Sequence, residues 1–431
     1  MSRYGYSLIF SLLCTPLFVS CGGGGSSAVE QPAPPVAVSR VDQLWDDIIV
    51  SYLRDDLWTS VNNYDAAHVL MFPMHWAFLQ TSERYRNPFD DYFERYTTEG
   101  SLADETNNLR KLQYLYLHSQ YLSLVAQTEQ NFAPWQQTLL EELQTEVEYQ
   151  WNDYPAWNYG GVTYSGGMKE RLEDKLSGRN FTPEYSRAIF DEEFFLMAIA
   201  ADLMAILQED ADATLLDIQG KTYELFVTQS IFIGDGWLFQ PGVWSHHPDY
   251  IYAGHTESRP DLSPSIIDDI ATDSSHFHRM PLWLLSFQES YAAGRSERAF
   301  FEDLLARTRY QFEEVIFVAP DEQFDGPRLV NFTDGWNGVY RYNYSTVSEG
   351  SGYGPYELSA VSLPLGWYVF LNSDALASAY AGIDFPMSAD LIDLYVGPNT
   401  TRERHPLVKW PDYFTNGFAE LHLLLSVADR P

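Results

Sequence analysis

A run of seven consecutive apolar residues, 194–200, places the strongest constraint on how this chain folds. It follows Thr182-Pro183-Glu184, where a capping threonine stands before a proline at the first helical position, the pattern of a helix start. A helix that is apolar on every side has no face suited to water. The run therefore predicts a fully buried helix rather than a surface helix with one apolar stripe.

Helical patterns also run through most of the remaining chain, while strand-like alternation is scarce. The other predicted helices span 41–61, 65–80, 104–128, 134–151, 213–232, 277–293, 296–315, 357–371 and 412–427. The best short strand candidate is Glu314–Val318. The sequence therefore predicts an all-α fold.

Three long segments between these helices are rich in glycine and aromatic residues: 151–167, 234–262 and 324–356. Segments of this length are usually functional or disordered, and disorder requires low hydrophobicity. Because aromatic residues are dense in all three, we expect ordered loops. No Pro/Gly-rich linker interrupts residues 41–431, so we expect one continuous domain there.

The N-terminus has the pattern of an export signal. Arg3 precedes an apolar stretch over about residues 4–19, which is short for a membrane span of roughly 20 residues. The stretch ends in Leu17-Phe18-Val19-Ser20-Cys21, which resembles a bacterial lipobox, with phenylalanine where leucine is usual. The resemblance implies cleavage after residue 20 and acylation of Cys21. A plain secretory signal, with this cysteine incidental, is the alternative.

Gly22 rather than aspartate follows the cysteine, and the resemblance then implies the outer membrane of a Gram-negative cell, on either the periplasmic or the cell-surface face. Residues 1–20 are the predicted signal peptide. Residues 21–40, rich in Gly, Ser and Pro, are the predicted tether. We expect membrane contact through the lipid anchor only.

The formal net charge of −34 limits the choice of partner. Such a field repels phosphate backbones, so no nucleic-acid partner is predicted. A polyanionic substrate needs a local basic pocket to overcome this field. No phosphate-binding Gly-rich loop, Gly-x-Ser-x-Gly or His-Glu-x-x-His motif occurs, and no cofactor is predicted.

Two Asp-Gly-Trp turns, at 235–237 and 334–336, each follow an apolar segment, and the tract 350–357 leads into a predicted helix. With the helical pattern and aromatic loops, these features resemble the α/α-toroid superfamily of polysaccharide lyases and glycoside hydrolases. The resemblance implies an α/α toroid, a ring of helical hairpins with long aromatic-rich loops. It also implies a polysaccharide or oligosaccharide as substrate.

The predicted sugar-binding residues combine flat aromatic faces, which cover the apolar faces of sugars, with polar groups that bond hydroxyls. They are Asp235, Trp237, Gln240, Trp244, His246, His247, Asp334, Trp336, Tyr353 and Glu357. For any single tryptophan, a place in the core is the alternative.

The segment 273–279 holds His276, His278 and Arg279 just before the predicted helical stretch 281–291. A histidine beside an arginine at a helix mouth suits proton transfer next to an anion. Asp273 is a plausible cap of that helix. A zinc site at the His-x-His pair is a further alternative, but no metal is predicted.

Asn337, Tyr340 and Arg341 follow the second Asp-Gly-Trp turn. The lyase resemblance implies that an Asn or Arg neutralises the uronate carboxylate, a His or Tyr takes the C5 proton, and a Tyr protonates the leaving oxygen. We therefore expect His276 or His278 as base, Tyr340 as acid, and Arg279, Asn337 or Arg341 at the carboxylate.

Two alternatives to a lyase remain open. An inverting glycoside hydrolase needs two carboxylates roughly 6.5–9.5 Å apart, and Asp235, Asp334 and Glu357 are the candidates. A glycan-binding or surface lipoprotein without catalysis needs only the aromatic loops. Every catalytic expectation requires the stretches near 240, 277 and 338 to meet in one cleft.

Overall fold

The computed structural model of the chain describes residues 39–129, 131–322, 324–398 and 404–428. These residues belong to one compact unit that begins at Ser39. The predicted signal peptide, lipidation site Cys21 and nearly all of the predicted tether lie outside the described residues. Among the helices within them, none is both long and apolar enough to cross a membrane.

Helices dominate the described residues, as predicted. The first seven are α1 Arg40–Leu44, α2 Asn63–Leu79, α3 Glu83–Glu99, α4 Asn108–Thr128, α5 Pro134–Asn152, α6 Gly167–Leu176 and α7 Asp191–Leu207. The next seven are α8 Ala213–Gln229, α9 Ser274–Phe277, α10 Met280–Glu289, α11 Ser296–Gln311, α12 Asp374–Ala381, α13 Ala389–Val396 and α14 Phe418–Ala428. The π-helical segments Trp45–Val50 and Phe312–Ile316 extend α1 and α11.

Within the described ranges, β-strands form three short antiparallel pairs, beside two isolated antiparallel bridges, Asp273 with Phe332 and Tyr340 with Tyr353. The three pairs are β1 Ala156–Asn158 with β2 Val162–Tyr164, β3 Ser230–Ile233 with β4 Gly236–Phe239, and β5 Phe317–Val318 with β6 Arg328–Leu329. The predicted strand at 314–318 is reduced to β5, because Phe312–Ile316 continues the preceding helix as a π-helical turn.

Helix α7 is the fully buried helix predicted from the apolar run. Every residue from Phe194 to Ala201 is buried, and α7 packs against α4, α5, α8 and α10. The helix begins at Asp191, later than the Thr182-Pro183-Glu184 start predicted for it, because Glu184–Arg187 forms only a short 3₁₀ turn.

The predicted helix 357–371 is wrong. The structure has two short 3₁₀ turns there, Ala360–Ser362 and Trp367–Leu371. Leu358 and Gly366 adopt positive φ values of 59° and 89°, a conformation that interrupts a right-handed helix. A side chain at position 366 would also crowd Phe72, because a Cβ atom there would lie only 3.0 Å from the Phe72 ring.

Asp202 is a buried carboxyl on α7 that accepts hydrogen bonds from Ser119 and Gln120 on α4, at 2.6 and 2.8 Å. Burial raises its pKa to about 7, although these hydrogen bonds oppose the rise. The folded chain therefore keeps a proton that the unfolded chain releases near pH 4. The stabilising contribution of this proton is complete below pH 4 and is lost as pH rises to about 7.

We expect Asp202→Asn to remove this dependence. The melting temperature of the variant should match that of the wild type within a few degrees at pH 5 and exceed it at pH 8, because the amide carries no charge into the core. Differential scanning fluorimetry at the two pH values measures this. A gap between the two proteins that stays constant from pH 5 to pH 8 contradicts the assignment.

Candidate active site

A cavity of about 470 Å³ lies at the N-terminal ends of α4, α7 and α10. Asn107 and Asn108 reach it from α4, Asp191 from α7, and Met280 from α10. The loops after β4 and after β6 cover these ends. The size is that of a typical small-ligand pocket.

His276 is held at this cavity by Asp273. Asp273 caps α9, accepting from the His276 backbone N–H at 3.0 Å, and its carboxylate also lies 2.8 Å from His276 Nδ1. Tyr250 donates to the same carboxylate at 2.8 Å. A carboxylate only accepts hydrogen bonds, so Nδ1 carries a proton.

The charge of Asp273 is maintained despite complete burial. Burial by itself raises the pKa of a carboxyl, but hydrogen bonds from His276 and Ser275 and the nearby Arg341 guanidinium more than offset it. The pKa of Asp273 therefore lies well below its usual range. The carboxylate can orient the imidazole and stabilise a positive charge that develops on it.

Arg341 lies beside Nε2 of His276, and because a guanidinium only donates hydrogen bonds, Nε2 presents its lone pair to it. Its Nη2 is 3.3 Å from His276 Nε2, and its Nε donates to Asp249 at 3.0 Å. The residue has a positive φ of 53°, and its backbone N–H donates to the Asp249 carbonyl at 2.9 Å. Positive φ is strained for a residue with a long side chain, and such strain is common at functional sites.

Tyr340 completes the cluster. Its hydroxyl is 3.5 Å from His276 Nδ1, and the Arg341 guanidinium lies over its ring at 5.1 Å from the centroid. Burial raises the pKa of Tyr340 well above its usual value, although Arg341 opposes the rise. The phenol therefore keeps its proton and can act as a donor.

Aromatic rings form a large part of the remaining cavity wall. Trp157 stacks on Phe190 with centroids 5.0 Å apart, and Trp244 stacks on Tyr250 at 5.9 Å. Tyr159 lies edge-on to Phe190 at 5.2 Å. Flat apolar faces of this kind suit the C–H faces of sugar rings.

Comparison of the chain with models of known protein families, with curated proteins and with solved structures gives no match in any of the three.

The structure brings the three predicted stretches together. The predicted site residues that line the first cavity are Gln240, Trp244, His247, His276, Tyr340 and Arg341. The Gln240 amide also holds loops together: its oxygen accepts from the Ile189 backbone at 3.0 Å and its nitrogen donates to Gln229 at 3.0 Å.

His278, Arg279 and Tyr353 line a neighbouring cavity instead. His278 and Arg279 are both buried, with 2% of each exposed. Arg279 pairs with Asp191 and lies 3.0 Å from His68 Nε2. His278 and Arg279 therefore line only the neighbouring cavity and do not accompany His276 in the first.

Four predicted residues have structural contacts and line neither cavity. Trp237 is fully buried and donates to Thr308 at 2.8 Å, which leaves no face for a sugar. Asn337 accepts from the backbones of Asn331 and Tyr356 at 3.1 Å, so its amide oxygen closes a loop instead of meeting a carboxylate.

Both side-chain oxygens of Asp334 accept backbone N–H groups, from Trp336 at 2.8 Å and Ala271 at 2.9 Å. Trp336 donates to the Ala253 carbonyl at 2.6 Å and is 38% exposed outside both cavities. The Asp-Gly-Trp turn therefore supports the loop that carries Tyr340 and Arg341.

The remaining three predicted residues also line neither cavity. Asp235 is exposed at the tip of the β3–β4 hairpin, and His246 is exposed on the following loop. Glu357 accepts from the Gly354 backbone at 2.6 Å, and burial raises its pKa. Within the described residues, no group of three or more His, Cys, Asp or Glu side chains is placed to hold a metal ion.

Sequence reasoning missed several residues of the site. The role of Asp273 was open to detection, since an N-cap carboxylate three residues before a histidine can reach both its backbone and its ring. Asp249 had no local signal, because its partner Arg341 is 92 residues away. The same applies to Phe190 and Asp191, which reach the cavity only because α7 begins there.

Proposed function

We propose that this protein is a polysaccharide lyase that cleaves a uronate-containing polymer by β-elimination. The observation that carries the proposal is the arrangement around His276, where Asp273 binds Nδ1 and the Arg341 guanidinium lies 3.3 Å from Nε2. A base with its lone pair beside a fixed cation suits removal of a proton next to a carboxylate.

A C5 proton beside a carboxylate is a very weak acid until that carboxylate is neutralised. In the proposed reaction the uronate carboxylate accepts hydrogen bonds from Arg341, which releases Nε2 of His276. The imidazole then takes the C5 proton, a C4–C5 double bond forms and the C4–O4 bond breaks. The electron pair leaves with O4, which takes the proton of the Tyr340 hydroxyl.

The same cavity is poorly suited to glycoside hydrolysis, which needs one protonated carboxyl and one carboxylate. Each of its carboxylates is engaged with a cationic or hydrogen-bonding group. Asp191 pairs with Arg279, Glu192 with Arg171, Asp249 with Arg341, and Asp273 with His276. The hydrolase candidates Asp235, Asp334 and Glu357 line neither of the two cavities.

We propose an α/α toroid for the helical unit, because the packing of its helices closes a circuit. Helix α2 packs on α4, α4 on α7 and α7 on α10, and the 3₁₀ turn Trp367–Leu371 packs on both α10 and α2. Helices α3, α5, α8 and α11 each pack on the helix of this circuit that precedes them in the chain. The long aromatic-rich loops cover the N-terminal mouth of the circuit.

The proposed localisation rests on the lipobox-like sequence that ends at Cys21, with the predicted signal peptide before it and the predicted tether after it. The mature protein would be anchored to the outer membrane through lipid, with the helical unit reaching a polysaccharide across the tether.

Product chemistry tests the proposed reaction. Incubated with uronate-containing polysaccharides, the helical unit on its tether should generate the ultraviolet absorbance of an unsaturated uronate in proportion to new reducing ends. New reducing ends without that absorbance indicate a hydrolase. A melting shift with oligosaccharide and no product indicates a binding protein. Either result contradicts the proposal.

A further inference from the structure

A second cavity of about 270 Å³ adjoins the first. The two share Leu109, His276 and Arg341 as lining residues. The proposed base and its neighbouring cation therefore lie at the junction of two spaces, each with its own walls. A polymer bound across this junction places one sugar on each side of the cleaved bond.

The two cavities differ in charge. Among the described residues of the first, four carboxylates face one guanidinium, that of Arg341. Among those of the second, three guanidiniums face one carboxylate: Arg279, Arg341 and Arg404 lie with Asp65. The second cavity is therefore the local basic pocket that a polyanion needs in a chain of net charge −34.

Two ion pairs contribute to this difference in charge. In both, the carboxylate lines the first cavity and the guanidinium lines the second. Asp191 lines only the first cavity and its partner Arg279 only the second. Asp249 lines only the first, whereas its partner Arg341 reaches the second. Because each pair keeps its carboxylate in the first cavity and presents its guanidinium to the second, the asymmetry is built into the wall between the cavities.

The second cavity also offers neutral polar groups. His278 is buried, its Nδ1 donates to the Ser275 carbonyl, and no described residue bonds its Nε2. Trp410 lies beside Arg404, whose guanidinium is 4.4 Å from the ring centroid, and adds an apolar face.

We infer that the second cavity binds the uronate whose C5 proton is removed and that the first binds an uncharged sugar, so the substrate alternates uronate with neutral sugar. This inference rests on the proposed lyase function. A second uronate in the first cavity would face Asp191, Glu192, Asp249 and Asp273. Repulsion between like charges disfavours such a homopolymer.

A substrate panel tests the alternation. Hyaluronan, unsulfated chondroitin and heparosan alternate a uronate with an uncharged N-acetylated sugar, whereas polygalacturonate, polyglucuronate and alginate are uronate throughout. We expect kcat/KM to be at least about tenfold higher on the best alternating polymer. Equal or faster cleavage of a homopolymer overturns the inference but leaves the lyase proposal intact. Cleavage of none of the six overturns both.

Arg404 provides the test of the second cavity itself. It pairs with Asp65 at 3.6 Å and does not line the first cavity. Arg404→Gln should raise KM for the preferred polymer roughly tenfold through loss of a charge-assisted contact, with kcat changed much less. Arg404→Lys, which keeps the charge, should restore part of the affinity.

The matched control is Arg309→Gln, which breaks a surface pair with Glu313 at 3.2 Å on α11. It should leave KM unchanged. Melting temperatures identify any Arg404 variant that fails to fold, and the lysine variant then carries the comparison. A folded Arg404 variant with wild-type KM overturns the assignment of the second cavity.

Discussion

Replacing His276 with alanine is expected to lower kcat on the cleaved polysaccharide by about 10³-fold, the middle of the range for loss of a general base. The imidazole is the group whose Nε2 faces Arg341, and Tyr340 keeps its proton and so cannot take over as base. The rate of unsaturated product formation measures the effect.

The fold should survive this change. Asp273 still caps α9 and still accepts from Tyr250 and Ser275. We therefore expect a melting temperature within a few degrees of the wild type. The matched control is His246→Ala, which removes an exposed imidazole outside both cavities and should retain full activity. A folded His276→Ala protein with more than a tenth of wild-type kcat contradicts the assignment of the base.

The second large effect concerns stability. Glu193 is a fully buried carboxylate at the start of α7, with Lys175 Nζ at 2.6 Å and Arg171 Nε at 2.8 Å. Burial by itself raises the pKa of Glu193, but the two cations more than offset this, and its pKa lies below the usual value. The carboxylate also accepts from the Phe190 backbone at 2.8 Å.

We expect Glu193→Gln to lower the free energy of unfolding by about 3 kcal/mol, because it removes charge that compensates the buried Arg171 guanidinium. Lys175, whose pKa burial lowers to about 7, can release its proton and limit the loss. The change keeps the shape of the side chain, so the loss reports charge rather than packing. Urea unfolding measures it. The variant should also weaken substrate binding, since Lys175 lies 3.3 Å from the centroid of Phe190, a wall of the first cavity.

A surface pair provides the control for this prediction. Glu302→Gln breaks a contact with Arg298 at 3.3 Å, and the glutamate side chain is 53% exposed. Exposed pairs contribute about 0–1 kcal/mol, so we expect little change. If Glu193→Gln costs no more than Glu302→Gln, the buried network does not stabilise α7.

Local pattern was sufficient to predict several of the helices, but it missed α3, α6, α12 and α13. The spacing of apolar residues predicted α4, α5, α8 and α11 to within a few residues of their bounds. The apolar run at 194–200 predicted a helix with no exposed face. The local pattern failed at 357–371, where positive φ values at Tyr356 and Leu358 interrupt a segment whose composition suits a helix. Composition does not report the backbone conformation that tertiary contacts impose.

The candidate site, too, could be predicted from the sequence only in part. Sequence alone determined which residue types were present, namely histidines before α10 and a Tyr-Arg pair in a long loop, and it singled out both stretches. Only the tertiary structure decided that His276 and Arg341 lie 3.3 Å apart while Asn337 and Trp237 are used for support. The charge difference between the two cavities likewise depends on ion pairs 88 and 92 residues apart in the chain. Helical periodicity is a local property of neighbouring residues, whereas a site is made by loops whose side chains meet only after the helices that carry them have packed.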